Sequence, residues 1–363
     1  MRSPVYGHLV GDSRFKVIWL FVMPKIKIAW ILSVDRNTAS SRLQGYLIHE
    51  WMVKMGVCSE IVAINACKLN GVWSYKFFDI ARNICSGNFT HVVFEGPEWA
   101  AFQISVLCKL WGLKTICVRC DNLKADYDSY FDVTILPTKM LADSLGVLRR
   151  CIVPDCVEVP PSKYKRDYSL TTSKIRVVWV GHQGYADYIL GLISKLRGDE
   201  YINNHFDFVL ISKGDFATVQ WSLDNVFDDI LGCDVALIPV PEGEWYAGKS
   251  SNRLAMMMAL GMPVVATAIP SYEDIAVAAR DVIFVDDGGE MVEALLRLSS
   301  EEARSSLGQS ARENLGDRFS INTIAPMWLR SIGSAVDFRS DMPPRSFAAR
   351  VLAIFIRVFS KIW

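Results

Sequence analysis

The sequence predicts an α/β protein with two strand-first domains and a linker between them. Its 363 residues exceed the usual size of a single hydrophobic core. From Lys25 onwards, short β-rich apolar segments alternate with segments of helical periodicity, which is typical of α/β layers. The alternation stops in the Pro-, Ser- and Lys-rich residues 158–174 and then restarts. We therefore expect two domains that face a cleft, with ligands at the carboxyl ends of the strands.

The first domain is predicted to span residues 23–157. Its strands are expected in KIKIAWILSV, EIVAIN, HVVFEG, KTICVRCD, DVTILP and CIVPDCVEV. Helices are expected over Arg42–Met55, where apolar residues recur at four-residue spacing, and near 75–85 and 100–111. Residues 1–22 are interpreted as a loosely attached extension, because a clean first strand follows them.

The second domain is predicted to span residues 175–332. Its strands are expected in IRVVWVG, DFVLISK, DVALIPV, PVVAT and VIFVDD. Helices are expected over Ser251–Leu260, Glu290–Leu298 and Glu301–Leu315, and Gly261 is the predicted stop of the first of them.

Composition limits the possible partners and the compartment. The formal net charge is zero, so we expect no nucleic-acid partner. The nine cysteines are scattered and mostly lie inside apolar segments, which favours reduced thiols in the cytoplasm over a disulfide framework. The apolar run Val17–Met23 is too short to span a bilayer and lacks a cleavage site, so neither a membrane span nor a signal peptide is expected.

The tail, residues 333–363, ends in SFAARVLAIFIRVFSKIW. As a helix, this segment places Arg350, Arg357 and Lys361 on one narrow stripe and apolar side chains on most of the remaining surface. That pattern predicts a helix lying in a membrane interface, with the protein held peripherally at the inner face of the membrane. The alternative is a helix that packs on its own protein or on a dimer partner.

The segment Asp234–Thr267 carries the strongest functional signal. It is predicted to form strand, long loop, helix and strand, with Lys249, Ser250 and Ser251 at the start of the helix. Unpaired N–H groups and the helix dipole favour anions there, and Lys249 and Arg253 add two positive charges. We therefore predict a site for a phosphorylated ligand. The alternative is an ordinary capped helix with two solvated cations.

Polar residues also follow two strands of the first domain. Ser41 and Arg42 open the helix after the first strand, so Arg42 is a candidate contact for a phosphate or acceptor, or else forms a surface salt bridge. Glu95 and Glu98 lie at the end of the third strand, where a carboxylate could orient or deprotonate an acceptor hydroxyl. The alternative for this pair is capping of the next helix.

Two common nucleotide-binding motifs are missing from the sequence. Neither half has G-x-G-x-x-G after its first strand, which argues against a nicotinamide cofactor. Gly248-Lys249-Ser250 is similar to the end of a P-loop, but its strand is too distant and the earlier glycine is lacking. We therefore do not expect a nucleoside triphosphatase.

A particular order of segments runs through the second half: IRVVWVGHQG, DFVLIS, DVALIPV, KSSNR, ALGMPVVAT and IPSYEDI. In this order it resembles the donor-binding domain of a GT-B glycosyltransferase, and it is most similar to the retaining family 4 (glycosyl transferases group 1). The first half agrees through KIAWILSVDRNTASSR, FDVTILPTKMLADSL and IVPDCVEVP, so the resemblance covers about residues 25–332. It implies two Rossmann-like α/β/α domains facing a cleft.

The resemblance implies transfer of a sugar from a nucleotide-sugar to a saccharide or lipid-linked acceptor, with retention of configuration, in polysaccharide or glycoconjugate biosynthesis. No metal or other cofactor is implied. The donor diphosphate would lie over the helix start, where cations and N–H dipoles stabilise the leaving group. Asn252 would help to hold that loop, and Gly181, Gln183 and Gly184 would let the backbone approach the diphosphate closely.

The sequence also departs from the family. Its two usual glutamates, eight positions apart, fall on Gly248 and Met256, so both carboxylates of the Glu-x7-Glu motif are absent. Glu242 and Glu244, slightly upstream on the loop, are the candidates to reach the sugar in their place. This departure leaves open a catalytically silent homologue that binds nucleotide-sugar or glycan as a scaffold. A sugar-nucleotide epimerase of related fold would need a free base, for which Glu95 is the candidate.

Overall fold

The computed structural model describes residues 26–64, 75–96, 99–120, 128–286 and 288–335. The N-terminal extension, Glu98 and the basic tail helix of the sequence analysis lie outside the described residues. The described chain forms two α/β units, each built on a parallel six-stranded sheet, which confirms the predicted fold class.

The sheet of the first unit has the strand order β2-β1-β3-β4-β5-β6, and all neighbouring strands are parallel. Its strands are β1 (Lys27–Ile31), β2 (Cys58–Ala63), β3 (His91–Glu95), β4 (Lys114–Val118), β5 (Val133–Leu136) and β6 (Arg150–Ile152). Strands β1, β3, β4 and β5 are almost continuously apolar, because both faces of the sheet are covered. Strand β6 is shorter than the predicted CIVPDCVEV segment, where Pro154 cannot donate a ladder hydrogen bond.

Helices cover both faces of this sheet. They are α1 (Ala39–Ser41), α2 (Leu47–Lys54), α3 (Tyr75–Ser86), α4 (Trp99–Leu110) and α5 (Lys139–Ser144). Apolar residues of α3 and α4 pack on one face, and those of α2 pack on the other.

One π-helical segment, Arg42–Tyr46, joins α1 to α2. A Cβ atom at Gly45 would lie 2.6 Å from Cδ2 of Leu32, so a larger residue there would require the Leu32 side chain to shift. Such π segments are frequent at functional sites, because they change the direction of side chains relative to an α-helix.

The second sheet has the order β12-β11-β10-β7-β8-β9, again with parallel neighbours. Its strands are β7 (Ile175–Val180), β8 (Phe206–Ser212), β9 (Val219–Gln220), β10 (Val235–Ile238), β11 (Val264–Thr267) and β12 (Ile283–Val285). The chain builds outward from β7 in one direction and from β10 in the other. The crevice between the carboxyl ends of β7 and β10 is therefore the position at which open α/β sheets bind ligands.

The remaining helices follow in chain order. They are α6 (Ala186–Leu196), α7 (Glu200–His205), α8 (Val226–Leu231), α9 (Glu244–Ala247), α10 (Asn252–Ala259), α11 (Pro270–Glu273), α12 (Gly288–Arg297), α13 (Glu301–Leu315) and α14 (Ile321–Gly333). The predicted helices at Ser251–Leu260, Glu290–Leu298 and Glu301–Leu315 are confirmed by α10, α12 and α13. Among the described residues, no helix is both long and apolar enough to span a bilayer.

The last described helix returns to the first sheet. Trp328 of α14 is buried against Trp30 of β1, with ring centroids 6.2 Å apart, and α14 packs on α2 and β5. Residues 321–333 therefore pack with the first domain, whereas the sequence analysis assigned residues 175–332 to the second. The apolar periodicity of α14 is the same whichever sheet it covers, so the sequence does not distinguish the two.

The chain crosses between the domains twice, and the two crossings lie side by side. The backbone N–H of Val157 donates to the carbonyl of Phe319 at 2.8 Å, and Val157 and Ser320 form a parallel bridge. The predicted linker packs on the second domain: the hydroxyl of Tyr168 donates to the carbonyl of Gly261 at 2.8 Å.

A half-buried histidine at the start of β3 should make stability depend on pH. Burial, assisted by Lys114, lowers the pKa of His91 to about 4, whereas an unfolded histidine titrates near 6.5. Between these values the unfolded chain binds a proton that the folded chain refuses, so stability is lost as pH falls through that window. We expect the free energy of unfolding, measured with urea, to fall less for His91→Asn than for the wild type between pH 7 and pH 5. Equal losses in the two proteins would contradict the prediction.

Candidate functional site

The predicted anion site lies at the start of helix α10, after a long loop from the carboxyl end of β10. Ser251 is the N-cap residue, but its side chain makes no capping hydrogen bond. The N–H groups of the first turn of α10 are therefore not satisfied by a cap and remain suited to an anion. Glu244 is the first residue of α9, which lies within this loop between β10 and Lys249.

Two cations flank this helix start. Arg253 is partly buried and makes no hydrogen bond or ion pair with another described residue. The ammonium group of Lys249 lies 5.7 Å from the ring centroid of Tyr185 and 5.9 Å from that of Tyr246. A positively charged group held between aromatic faces is poised for an anion that enters from the crevice.

The turn after β7 meets this loop. The rings of Tyr185 and Tyr246 are 6.2 Å apart, which brings the predicted Gly181–Gly184 turn next to Lys249. His182 accepts a hydrogen bond from the N–H of Gly184 at 3.0 Å and so holds the turn, while Gln183 and Gly184 are exposed.

Gly181 has a packing reason for being glycine. A Cβ atom there would lie 2.1 Å from the ring of the buried Trp179. The close approach of the backbone to a diphosphate therefore stays a prediction for this turn, and the packing against Trp179 is sufficient to require the glycine.

Sequence reasoning missed Tyr272 on α11, which follows the end of β11. Tyr272 is 0 % exposed, and its hydroxyl has no hydrogen-bond partner among the described residues. Burial raises the pKa of Tyr272, and the charges of Arg253 and Lys249 oppose that rise. The hydroxyl therefore lies within the electrostatic reach of the two cations. No spacing signal marks this residue, since a tyrosine in IPSYEDI is indistinguishable from ordinary core.

Across the cleft, Glu95 at the end of β3 fixes the first loop of its own domain. Its Oε2 atom accepts hydrogen bonds from the N–H of Ser33 at 3.0 Å and from the hydroxyl of Ser41 at 2.5 Å. Two of the predicted site residues, Glu95 and Ser41, are therefore brought together at the carboxyl ends of β1 and β3.

Arg42 has a different environment from Ser41. Its Nε and NH2 atoms donate to the two carboxylate oxygens of Glu158 at 2.7 and 2.9 Å, and its guanidinium lies 5.5 Å from the ring centroid of Trp221. The side chains of the pair are only 6 % and 14 % exposed, so the ion pair is buried rather than on the surface. Arg42 thus joins the first domain to the linker and to the second domain.

The first domain also touches the anion loop. The hydroxyl of Thr138, which caps α5, lies 3.3 Å from the carbonyl oxygen of Gly248 and donates to it. Helix α5 lies next to α11. Gly248, where the resemblance to family 4 would place a glutamate, thus contributes its backbone to the contact between domains.

A cavity of about 890 Å³ lies at the opposite end of α10, between the linker and the starts of the two crossings. Its central cation, Arg312, already donates to the carbonyls of Ala259 and Pro161 and stacks 3.9 Å from the ring centroid of Tyr164. In the part of the chain that the structure describes, no three His, Cys, Asp or Glu side chains are grouped to hold a metal ion.

Comparison with solved structures identifies the fold. HepE from Anabaena, solved with UDP and glucose, matches with a TM-score of 0.57 and 10% identity over 85% of this chain and 100% of HepE. A glycosyltransferase from Rickettsia africae matches with a TM-score of 0.58 and 10% identity over 85% of this chain and 98% of that protein. TarM matches with a TM-score of 0.54 and 12% identity over 71% of this chain, which spans 58% of TarM.

At these identities the likeness shows the fold, and the chain has the GT-B fold, as the resemblance implied. No protein-family model matches the sequence. No curated protein matches it either. The assignment to family 4 therefore stays a prediction.

Proposed function

We propose that this chain is a glycosyltransferase that moves a sugar from a nucleotide-sugar to a saccharide or lipid-linked acceptor. The proposal rests chiefly on one observation, the partly buried Arg253 beside Lys249 at the uncapped start of α10. Such a site stabilises the negative charge that grows on a departing diphosphate. The complexes of HepE with UDP and with UDP-glucose support a nucleotide-sugar as the donor.

The remaining features of the reaction are part of the proposal. Retention of configuration follows from the resemblance to family 4. The reaction uses no metal or other cofactor, and it serves polysaccharide or glycoconjugate synthesis in the cytoplasm. Gly181, Gln183, Gly184, Glu244 and the segment Lys249–Arg253 form the proposed donor site, in which the sugar would lie toward the loop that carries Glu244.

The proposed function is tested with purified full-length chain and a panel of nucleotide-sugars. We expect one donor to raise the thermal midpoint of unfolding, because a ligand that binds only the folded state stabilises it. The same donor should release free nucleoside diphosphate when a saccharide acceptor is added. A panel in which no nucleotide-sugar stabilises the protein would contradict the proposal.

Glu95 is proposed to serve the acceptor, since its carboxylate is held in one orientation at the end of β3. Replacing Glu95 by Gln should lower kcat by about a hundredfold, as expected for a lost acid–base group, and should leave the donor Kd unchanged. Ser41→Ala keeps the carboxylate and is the control, with a loss below about tenfold. A Glu95→Gln variant with wild-type kcat would exclude a role in proton transfer.

A second candidate function is a silent GT-B protein that binds nucleotide-sugar or glycan and scaffolds an active partner. It is favoured by Gly248 and Met256, which provide no carboxylate at either family position. The same panel separates the two functions: donor binding without turnover, across all donors and acceptors, indicates the scaffold.

Peripheral membrane association is proposed for the tail. Deletion of residues 346–363 should release the protein from vesicles that contain anionic lipid, because the basic stripe and apolar face of the helix are removed. Sedimentation with vesicles measures binding, and thermal unfolding of the truncated chain checks that the fold is kept. A truncated protein that still sediments would exclude the tail as the anchor.

A further inference from the structure

Two side chains near the anion site, Tyr272 and Arg253, make no side-chain hydrogen bond to a described residue. The hydroxyl of Tyr272 is fully buried with no hydrogen bond to a described residue. An unsatisfied buried hydroxyl destabilises a folded protein, so most such groups in native structures are bonded. Such a group in a native structure needs an explanation, and one explanation is a partner that arrives when a ligand binds.

Arg253 is the complementary group. Its guanidinium has five N–H donors, and none of them bonds to a described residue. Its charge acts on the hydroxyl of Tyr272 more strongly than that of Lys249, and both lower the pKa of Tyr272 against the effect of burial. Tyr272 also packs in the same buried cluster as Leu254, the residue next to Arg253 on α10. A donor-rich cation and an acceptor hydroxyl thus both lie at this end of α10, and they are not bonded to each other.

Packing surrounds Tyr272 on all sides, whereas Arg253 is only partly buried and is held by no hydrogen bond to a described residue. Tyr272 belongs to the same buried cluster as the apolar residues of α10, and Tyr246 packs against that cluster. Arg253 lies on the first turn of α10, where it is partly buried. The Tyr272 hydroxyl therefore has a fixed position. It can accept a hydrogen bond if the guanidinium of Arg253 reorients when an anion binds in the crevice.

We propose that Tyr272 is a positioning residue, whose hydroxyl accepts a hydrogen bond from Arg253 once Arg253 holds the diphosphate. This inference rests on the proposed function and adds a residue to its donor site. In this arrangement Arg253 donates from one edge of its guanidinium to the phosphate oxygens and from another N–H to the hydroxyl oxygen of Tyr272. The bound state then satisfies the hydroxyl that the free state leaves without a partner, and this gain is added to the affinity for the nucleotide.

The test uses UDP, GDP and ADP, each without a sugar, in calorimetric titrations of the full chain. The nucleotide that binds most tightly is then compared between the wild type and Tyr272→Phe, which removes only the hydroxyl. We expect the variant to bind about tenfold more weakly, the usual loss for a hydrogen bond to a charged group. Its thermal midpoint should equal or exceed that of the wild type, because no hydrogen bond is lost in the free protein.

A double-mutant cycle identifies the partner. In an Arg253→Ala background, Tyr272→Phe should change the affinity by less than about twofold, since the hydroxyl acts through Arg253. The matched control is Tyr168→Phe, another buried tyrosine whose hydroxyl is already bonded to the carbonyl of Gly261. That variant should lose thermal stability and keep the affinity of the wild type.

The outcomes separate the proposed function from the positioning role of Tyr272. If the wild type binds none of the three nucleotides, the proposed function itself is contradicted. If the wild type binds and Tyr272→Phe binds equally well, or loses the same factor with and without Arg253, the positioning role alone is overturned. A fall in the thermal midpoint of Tyr272→Phe would show that the hydroxyl is bonded in the free protein, which would also overturn it.

Discussion

Replacing both Lys249 and Arg253 by alanine should weaken the binding of the nucleoside diphosphate by about a hundredfold or more. Each cation is expected to make charge-assisted hydrogen bonds with the phosphates, and such bonds contribute about 1.5–3 kcal/mol apiece. The N–H groups at the start of α10 remain in the variant, so residual binding is expected. Calorimetric titration with the tightest-binding nucleotide measures the change in Kd.

Arg312→Ala is the matched control for this experiment. Arg312 bonds to the carbonyl of Ala259, at the opposite end of the same helix. Its loss should lower stability and leave the nucleotide Kd within about twofold of the wild type. If the double variant binds the nucleotide as tightly as the wild type, the phosphate site at α10 is excluded.

Arg42→Ala should reduce the free energy of unfolding by about 3 kcal/mol or more, because it leaves the carboxylate of Glu158 buried without its cation. Urea unfolding measures the change. Arg42→Ala combined with Glu158→Ala should be more stable than Arg42→Ala alone, since the unpaired charge is then removed as well.

Arg36→Ala is the control for the buried pair. Arg36 pairs with Glu50, and both side chains are 45% exposed, so its loss should change stability by less than about 1 kcal/mol. If Arg42→Ala leaves stability unchanged and weakens binding of the nucleotide instead, Arg42 acts as a phosphate contact and the structural role is contradicted.

The fold was largely predictable because its parallel strands are buried on both faces. Segments such as HVVFEG and DVTILP are short and mostly apolar, and they form β3 and β5 as predicted. The end of helix α10 was predictable for a different reason. Gly261 follows the helix with a positive φ of 65° and stops it, as the sequence indicates.

The parts that escaped prediction depend on contacts distant in sequence. Within the π segment at Arg42–Tyr46, Gly45 lies against Leu32, and no local propensity encodes that contact. The pairing of Arg42 with Glu158 joins residues 116 positions apart. At the site, the sequence predicted the helix start at Lys-Ser-Ser-Asn-Arg. Only the structure shows that the buried hydroxyl of Tyr272 has no hydrogen-bond partner among the described residues.

The paired crossings at Val157 and Phe319 limit how the two domains can move. Both covalent connections between the domains pass through one hydrogen-bonded seam, while Arg42 and Thr138 join the domains through side-chain contacts. Two adjacent crossings can serve as a hinge, so we expect any opening of the crevice to be a rotation about this seam. Substitutions at that seam, distant from the anion site, would therefore change how widely the crevice opens and how fast a bound ligand dissociates.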